Sequence, residues 1–207
     1  MIKPKITYTN DMSFEDAYKM NEYNKMKFSS EVIDKKIETV TFDECIFEKI
    51  DFTNLKFNDL DILDSIFDTC EITNKNFDKQ FITRVVFKNC KLVGCTFIEA
   101  TLDNVVFDCC NCSYINLAGA KLKNIEIINS NFSESSFNEA DIKKIKLDNV
   151  NFKNAEFGHV RHDGIDFSSS DIAGIMIDDV TLRNITISMF QSNNILGMFG
   201  INIKEID

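Results

Sequence analysis

From Phe42 to Ile187 every fifth residue is Phe, Leu or Ile, interrupted only at Cys112 and His162. Neither a helix, with its period of 3.6, nor a strand, with its period of 2, produces such a spacing. A chain that repeats on five must turn a corner every five residues. An internal repeat of this kind predicts a coil stacked on itself.

The residue two before each centre obeys a second rule. It is small or aliphatic at Val40, Cys45, Ile50, Leu55, Leu60, Ser65 and Cys70, departs from this at Lys75 and Gln80, and returns at Val85. From Ile125 to Ile185 every such position is Ala, Ser, Val or Ile. Each unit therefore points two residues inward and three toward solvent. Phe47, Phe67, Phe87 and Phe107 form one aromatic series with Phe167, and Phe57, Phe77, Phe97, Phe137 and Phe157 form another. The centres between them, such as Ile62, Ile82 and Leu102, are mostly aliphatic. That ten-residue modulation fits a four-sided coil of 20 residues and would be scrambled in a three-sided one.

Units such as Ala140-Asp141-Ile142-Lys143-Lys144 and Val150-Asn151-Phe152-Lys153-Asn154 resemble the pentapeptide-repeat family over roughly Val40 to Met189. The resemblance implies an all-β fold, a right-handed quadrilateral β-helix. The expected organisation is an N-terminal cap segment over 1–29, the repeat solenoid over 30–189, and a C-terminal capping and dimerisation segment over 190–207. Ser13-Phe14-Glu15-Asp16 reads as a capping box opening a short helix to about Lys27. Val32 and Ile37 are in phase with the repeats, although Lys35 then falls on an inward position. A C-terminal helix with Met189, Phe190, Ile195, Leu196, Met198 and Phe199, followed by a strand Ile201-Asn202-Ile203, resembles the dimerisation element of the quinolone-resistance, DNA-gyrase-protecting branch of the family.

The chemistry-bearing residues read mostly as structure. The segment Phe107-Asp108-Cys109-Cys110-Asn111-Cys112 looks like part of a metal knot, yet Cys110 and Cys112 fall on inward positions and Cys109 on an outward one. Cys45, Cys70, Cys90 and Cys95 share the position of Cys110, so cysteine is expected to serve as a compact hydrophobe. No second ligand pair completes a zinc site, and no metal is expected. Seven cysteines without paired spacings suit reduced thiols, and the N-terminus lacks the apolar core of a secretory signal, so the expectation is a cytoplasmic protein. His162 is expected to be a neutral imidazole with one backbone or Asp partner at an irregular coil. Phosphate-loop, dinucleotide and HExxH patterns are missing, which points away from an enzyme and from a cofactor.

The net charge of −10 opposes direct binding to nucleic acid or anionic lipid and favours a cationic partner. The charge is uneven around the rod. The side centred on Phe57, Phe77, Phe97, Leu117, Phe137, Phe157 and Ile177 carries Asp59, Asp78, Glu99, Glu139, Glu156, Asp178 and Asp179 against only Lys56 and Lys79, a net of −5. The side centred on Phe42 and Ile62 is balanced, its seven acids offset by Arg84, Lys121, Lys123, Lys143, Lys144, Arg161 and Arg183. The resemblance implies a homodimeric DNA mimic that docks on DNA gyrase or another type II topoisomerase and protects it from quinolones or related toxins. The alternative is an acidic structural scaffold or regulatory binding module. Gram-negative resistance proteins of the family carry loops that interrupt their coils, whereas this ladder reads as unbroken to Ile187 and resembles the loop-free relatives with gyrase activity in that respect.

Overall fold

The computed structural model describes residues 1–7, 9–20 and 23–201. It is a parallel β-solenoid of about nine turns. Six strands of eight residues dominate it: β1 (Lys36–Asp43), β2 (Lys56–Leu63), β3 (Phe81–Lys88), β4 (Thr101–Asp108), β5 (Lys121–Ile128) and β6 (Asp141–Asp148). They stack in parallel with a register of 20, Phe87 on Phe107 and Leu102 on Leu122, which fixes four sides of five residues. Each strand covers two sides. The pair changes along the rod: β1 and β2 cover the sides centred on Phe57 and Ile62, and β3 to β6 those centred on Ile82 and Phe87, where the other two sides are joined by single bridges, such as Lys91 to Asn111 and Thr96 to Asn116, between tight turns.

The corner is a backbone event. From Asp64 to His159 the residue two after every centre has a positive φ, at Asn74, Asn89, Asn104, Asn124, Asn129, Asn149 and Asn154 among others. Asn reaches the left-handed region at small cost, which accounts for its frequency there. The outward residues beside the turns finish the job. Asn111, Asn131 and Asn151 each accept a hydrogen bond from the backbone N–H two residues on, and each Asn131 and Asn151 amide donates to the Asn one coil below.

Inside the tube the aromatic columns stack in runs, broken by Leu117 in one and by Ile127 and Leu147 in the other. Phe47, Phe67, Phe87 and Phe107 stack with ring centroids 4.6 to 5.3 Å apart, and Phe77–Phe97 and Phe137–Phe157 do so at 4.8 and 4.6 Å. Burying each such ring contributes roughly 1.5–3 kcal/mol before entropy. Cys45, Cys70, Cys90, Cys95, Cys110 and Cys112 are buried and Cys109 is exposed on its corner. The inward thiols also donate: Cys110 Sγ reaches Phe87 O at 3.3 Å, as Ser130 Oγ reaches Phe107 O one coil on. Cysteine and serine interchange at this position because both fill a small space and satisfy a carbonyl. Burial pushes the thiol of Cys45 up to about 11 and that of Cys95 up to about 12.

The ends depart from the five-residue rule. Helix α1 spans Phe14–Met20, shorter than the capping signal suggests, and Met26–Ser29 is already a strand, paired with Ile46–Glu48. Phe14 and Ala17 seat α1 over the first coil, Phe14 against Tyr23, Phe28 and Phe42. Val32, placed in phase by the sequence, is 67% exposed and Ile33 is buried in its stead. The step from Ile33 to Ile37 is four residues because Lys35 turns out to pair with Glu15 of α1 at 2.5 Å, over the Tyr18 ring. The register is accordingly 19 below this step and 20 above it.

At the other end the ladder is broken where the sequence reads as continuous. Val180 is exposed and Thr181 is fully buried, its hydroxyl accepting from Val160 N at 2.9 Å, because Asp178 accepts from the Thr181 N–H and winds the chain into a tighter turn. His162 projects inward at the same level with Nε2 2.8 Å from Thr181 O, the backbone partner expected of it. A 3-10 turn at Met189–Gln191 and helix α2 (Ser192–Met198) close the tube. Gln191 donates to Phe167 O and Ser170 O, two carbonyls of the last coil, and Ile195 packs beneath it. Ile201 lies outside any strand; the rest of the Ile201–Ile203 strand read from the sequence lies outside the described residues.

Candidate interaction faces

The acidic side is built from turns in its middle coils and from strands at β1, β2, Glu156–Phe157 and Met176–Ile177. One column runs Asp59, Lys79, Glu99, Gly119, Glu139, His159, Asp179, with a carboxylate on every second coil; Lys79, Glu99, Gly119, Glu139 and His159 are left-handed corners, whereas Asp59 lies within β2. Successive carboxylates are separated by about 9.6 Å along the axis, twice the strand spacing. Glu99 and Glu139 occupy left-handed corners with φ of 56° and 62°, and both are exposed. Pairing of β1 with β2 adds Lys36 and Glu38 to this side and leaves its net charge at −5.

The seven acids are not equivalent. Asp59, Glu139 and Asp179 are exposed, and among the described residues their carboxylates have no hydrogen-bond or ion-pair partner. Glu99 is exposed with Lys79 at 3.7 Å. Asp78 accepts from Ile98 N, and Glu156 from Asn138 Nδ2, so both are tied into neighbouring coils. Asp178 accepts from the N–H groups of His159 and Thr181 and meets the His159 ring at 2.5 Å. Partial burial raises its carboxyl, but those hydrogen bonds outweigh burial and hold it below the usual carboxylate range.

The charge density sets what this face can do. A net of −5 over seven coil steps, about 34 Å, is one charge per roughly 7 Å, against about 1.7 Å for duplex DNA. Per unit length the face has about a quarter of the charge of a duplex.

The C-terminal set divides as well. Met189 and Phe190 are 86% and 94% exposed, and Met198 and Phe199 are also exposed, whereas Ile195 is 6% exposed and Leu196 is partly covered. Four large apolar side chains thus stand in water at one end of the rod.

One device had no signal in the sequence reading. Residues 2–7 lie lengthwise on the mixed-charge side as a strap. Ile2 N donates to Asn104 Oδ1, Lys5 N to Asp64 Oδ1 and Thr7 N to Glu44 Oε2, which are corner residues of one column. Arg84, from the same column, clamps Asp64 with two hydrogen bonds of 2.7 and 2.6 Å. The Arg84 guanidinium holds the Asp64 carboxyl below the usual range, helped by Lys5 N–H against the effect of burial. A column of acceptors at 20-residue spacing was the only trace available.

Among the described residues no group of three or more His, Cys, Asp or Glu is placed to hold a metal ion, and no helix is long and apolar enough to cross a membrane.

Residues 60–130 match the family model described as a pentapeptide repeat region. No curated protein matches the chain. Among solved structures it is similar to trypsin-treated QnrB1, a plasmid-mediated fluoroquinolone resistance protein, with 16% identity over 86% of this chain and 97% of that one, at a TM-score of 0.38. It is also similar to HetL, a pentapeptide repeat protein involved in heterocyst differentiation regulation from the cyanobacterium Nostoc sp. strain PCC 7120, with 11% identity over 84% and 94% of the two chains, at a TM-score of 0.37. Likeness at this level says nothing about what the chain does. The matched stretch, and the same five-residue unit continuing coil by coil on both sides of it, make this chain similar to the pentapeptide-repeat family.

Proposed function

We propose that the protein is a non-enzymatic binding rod whose acidic side competes for a cationic groove that otherwise receives duplex DNA. The candidate partner is a type II topoisomerase, and the effect would be protection from quinolones or related toxins. The observation that carries this reading is the column of Asp59, Glu99, Glu139 and Asp179, with exposed carboxylates on every second coil of the stack. Electrostatic attraction of this kind acts on encounter and orientation more than on raw affinity. The exposed Met189, Phe190, Met198 and Phe199 support a homodimer formed end to end, because an isologous contact would remove that patch from water.

The test is a gyrase supercoiling assay with ciprofloxacin, comparing the native chain with an Asp59→Lys, Glu99→Lys, Glu139→Lys, Asp179→Lys variant. Protection by the native chain alone is expected; equal behaviour of the two, or no protection, refutes the reading. A monomer mass at micromolar concentration by light scattering refutes the dimer.

The low charge density favours a second reading, an acidic scaffold or regulatory module that binds a protein without imitating DNA. The two separate by salt. Displacing duplex DNA returns counterions to the freed phosphates, so competition against DNA should become easier as salt rises, by about one unit of log-log slope per phosphate freed, and a scaffold contact shows no such competition.

A further inference from the structure

The side centred on Phe42, Ile62 and their successors sums to zero in the sequence but is segregated along the axis. Its acids gather toward the N-terminal end at Asp43, Glu44, Asp61 and Asp64, where the strap and Arg84 engage Glu44 and Asp64. Its bases gather higher, at Lys121, Lys123, Lys143, Lys144 and Arg161, and the strap ends below them, at Asn104. The exposed surface there is positive on a chain of net charge −10.

The stacking pattern marks one place as unusual. Asp103 lies under Lys123 with the ion pair at 3.2 Å, and Lys121 lies under Asp141, which lies under Arg161 at 3.8 Å. Complementary stacking then fails: Lys123 is in direct register with Lys143, and Lys144 follows on a left-handed corner. Like charges directly opposite each other in a sheet are destabilising. Lys121, Lys143 and Lys144 are exposed and have no ion-pair partner among the described residues. Between the lysine stems is a cleft of about 280 Å³ with Leu122 as part of its floor.

We propose that this patch is an interaction surface for an acidic protein segment in extended conformation, with carboxylates at alternate residues. Lys121 and Lys123 are two residues apart on β5 and project from the same face, about 6.8 Å from each other, the pitch at which an extended segment presents alternate side chains. Lys143 and Lys144 would close over the second carboxylate. Duplex DNA fits poorly, because Asp103 and Asp141 are interspersed with the cations and the patch rises only two coils, about 10 Å. The proposal concerns a different side from the acidic column and stands or falls without it.

Fluorescence anisotropy of a short fluorescein-labelled peptide of alternating Glu and Ser tests it, at low and physiological salt. Binding to the native chain is expected, weakening as salt rises, with affinity reduced about tenfold in Lys143→Glu/Lys144→Glu. If that variant does not fold, Lys143→Gln/Lys144→Gln serves, with a smaller loss. The single change Lys143→Glu is also expected to raise Tm, by pairing with Lys123. Absence of peptide binding at low salt, equal binding by native chain and variant, or tighter binding of a short DNA duplex at the same salt would overturn the proposal.

Discussion

The coils between Phe81 and Val150 and the turns between Gly158 and Ile187 are built from the same repeat but held in different ways. In the middle, successive coils share seven-residue ladders, and a backbone N–H such as Phe97 N finds a carbonyl 19 residues on at 2.7 Å. Near the C-terminus the strands shrink to two residues, and side chains take over the bonding: Thr181 serves Val160, Gln191 serves Phe167 and Ser170, and Asp178 serves His159 and Thr181. Regular backbone pairing tolerates a change of side chain as long as the tube stays filled. Where side chains make the bonds, the identity of each one matters.

The largest expected contrast comes from placing a charge inside. Leu102→Asp in the middle should cost more than about 4 kcal/mol and abolish the folded state, because the interior column has no polar partner to offer. The same change at Leu182, half-buried in the last turn, should cost roughly 1 kcal/mol. Urea denaturation of both variants measures the difference. Next in size is Phe97→Ala at about 3–5 kcal/mol, against about 1–2 kcal/mol for Ile187→Ala at the half-buried end.

A hydrogen-bonding change should reverse the ranking of the regions. Thr181→Val leaves the buried Val160 N–H without a partner and should cost about 1–3 kcal/mol, while Ser130→Cys in the middle reproduces what Cys110 already does and should cost under about 1 kcal/mol. Faster amide exchange at Val160 would locate the effect.

The strap gives a pH-dependent term. The folded pKa of Asp64 is depressed, so its contribution to stability is fully present above its unfolded value of about 3.9 and is lost as pH falls through the folded value. Tm of the native chain should fall below about pH 4 more steeply than that of Asp64→Asn. The smallest effect on folding is expected for Met189→Ser/Phe190→Ser, within about 0.5 kcal/mol, yet the same variant should sediment as a monomer if the exposed end mediates pairing.

The phase of the repeat was legible because burial repeats with the backbone: Phe67, Phe87 and Phe107 could be placed inside from their spacing alone. Val32 and Val180 misled because another element decides their orientation. Lys35 is drawn out by Glu15 of the capping helix, and the turn at Asp178 advances the chain by one residue. Neither contact leaves a periodic mark. The positions of Asp59, Glu99, Glu139 and Asp179 followed from phase, but the engagement of Asp78 and Glu156 by adjacent coils did not. The strap was invisible because backbone N–H groups, which every residue carries, make its contacts.

The constant 20-residue register makes the molecule a graduated ruler. Along the ladder each coil pairs only with the one before and the one after, so inserting or excising a whole coil above the strap would lengthen or shorten the rod by about 4.8 Å and keep every residue beyond it in the same phase. Reach along the axis and heading around it can therefore be tuned separately, the first by counting coils and the second by choosing which of five residues carries the charge.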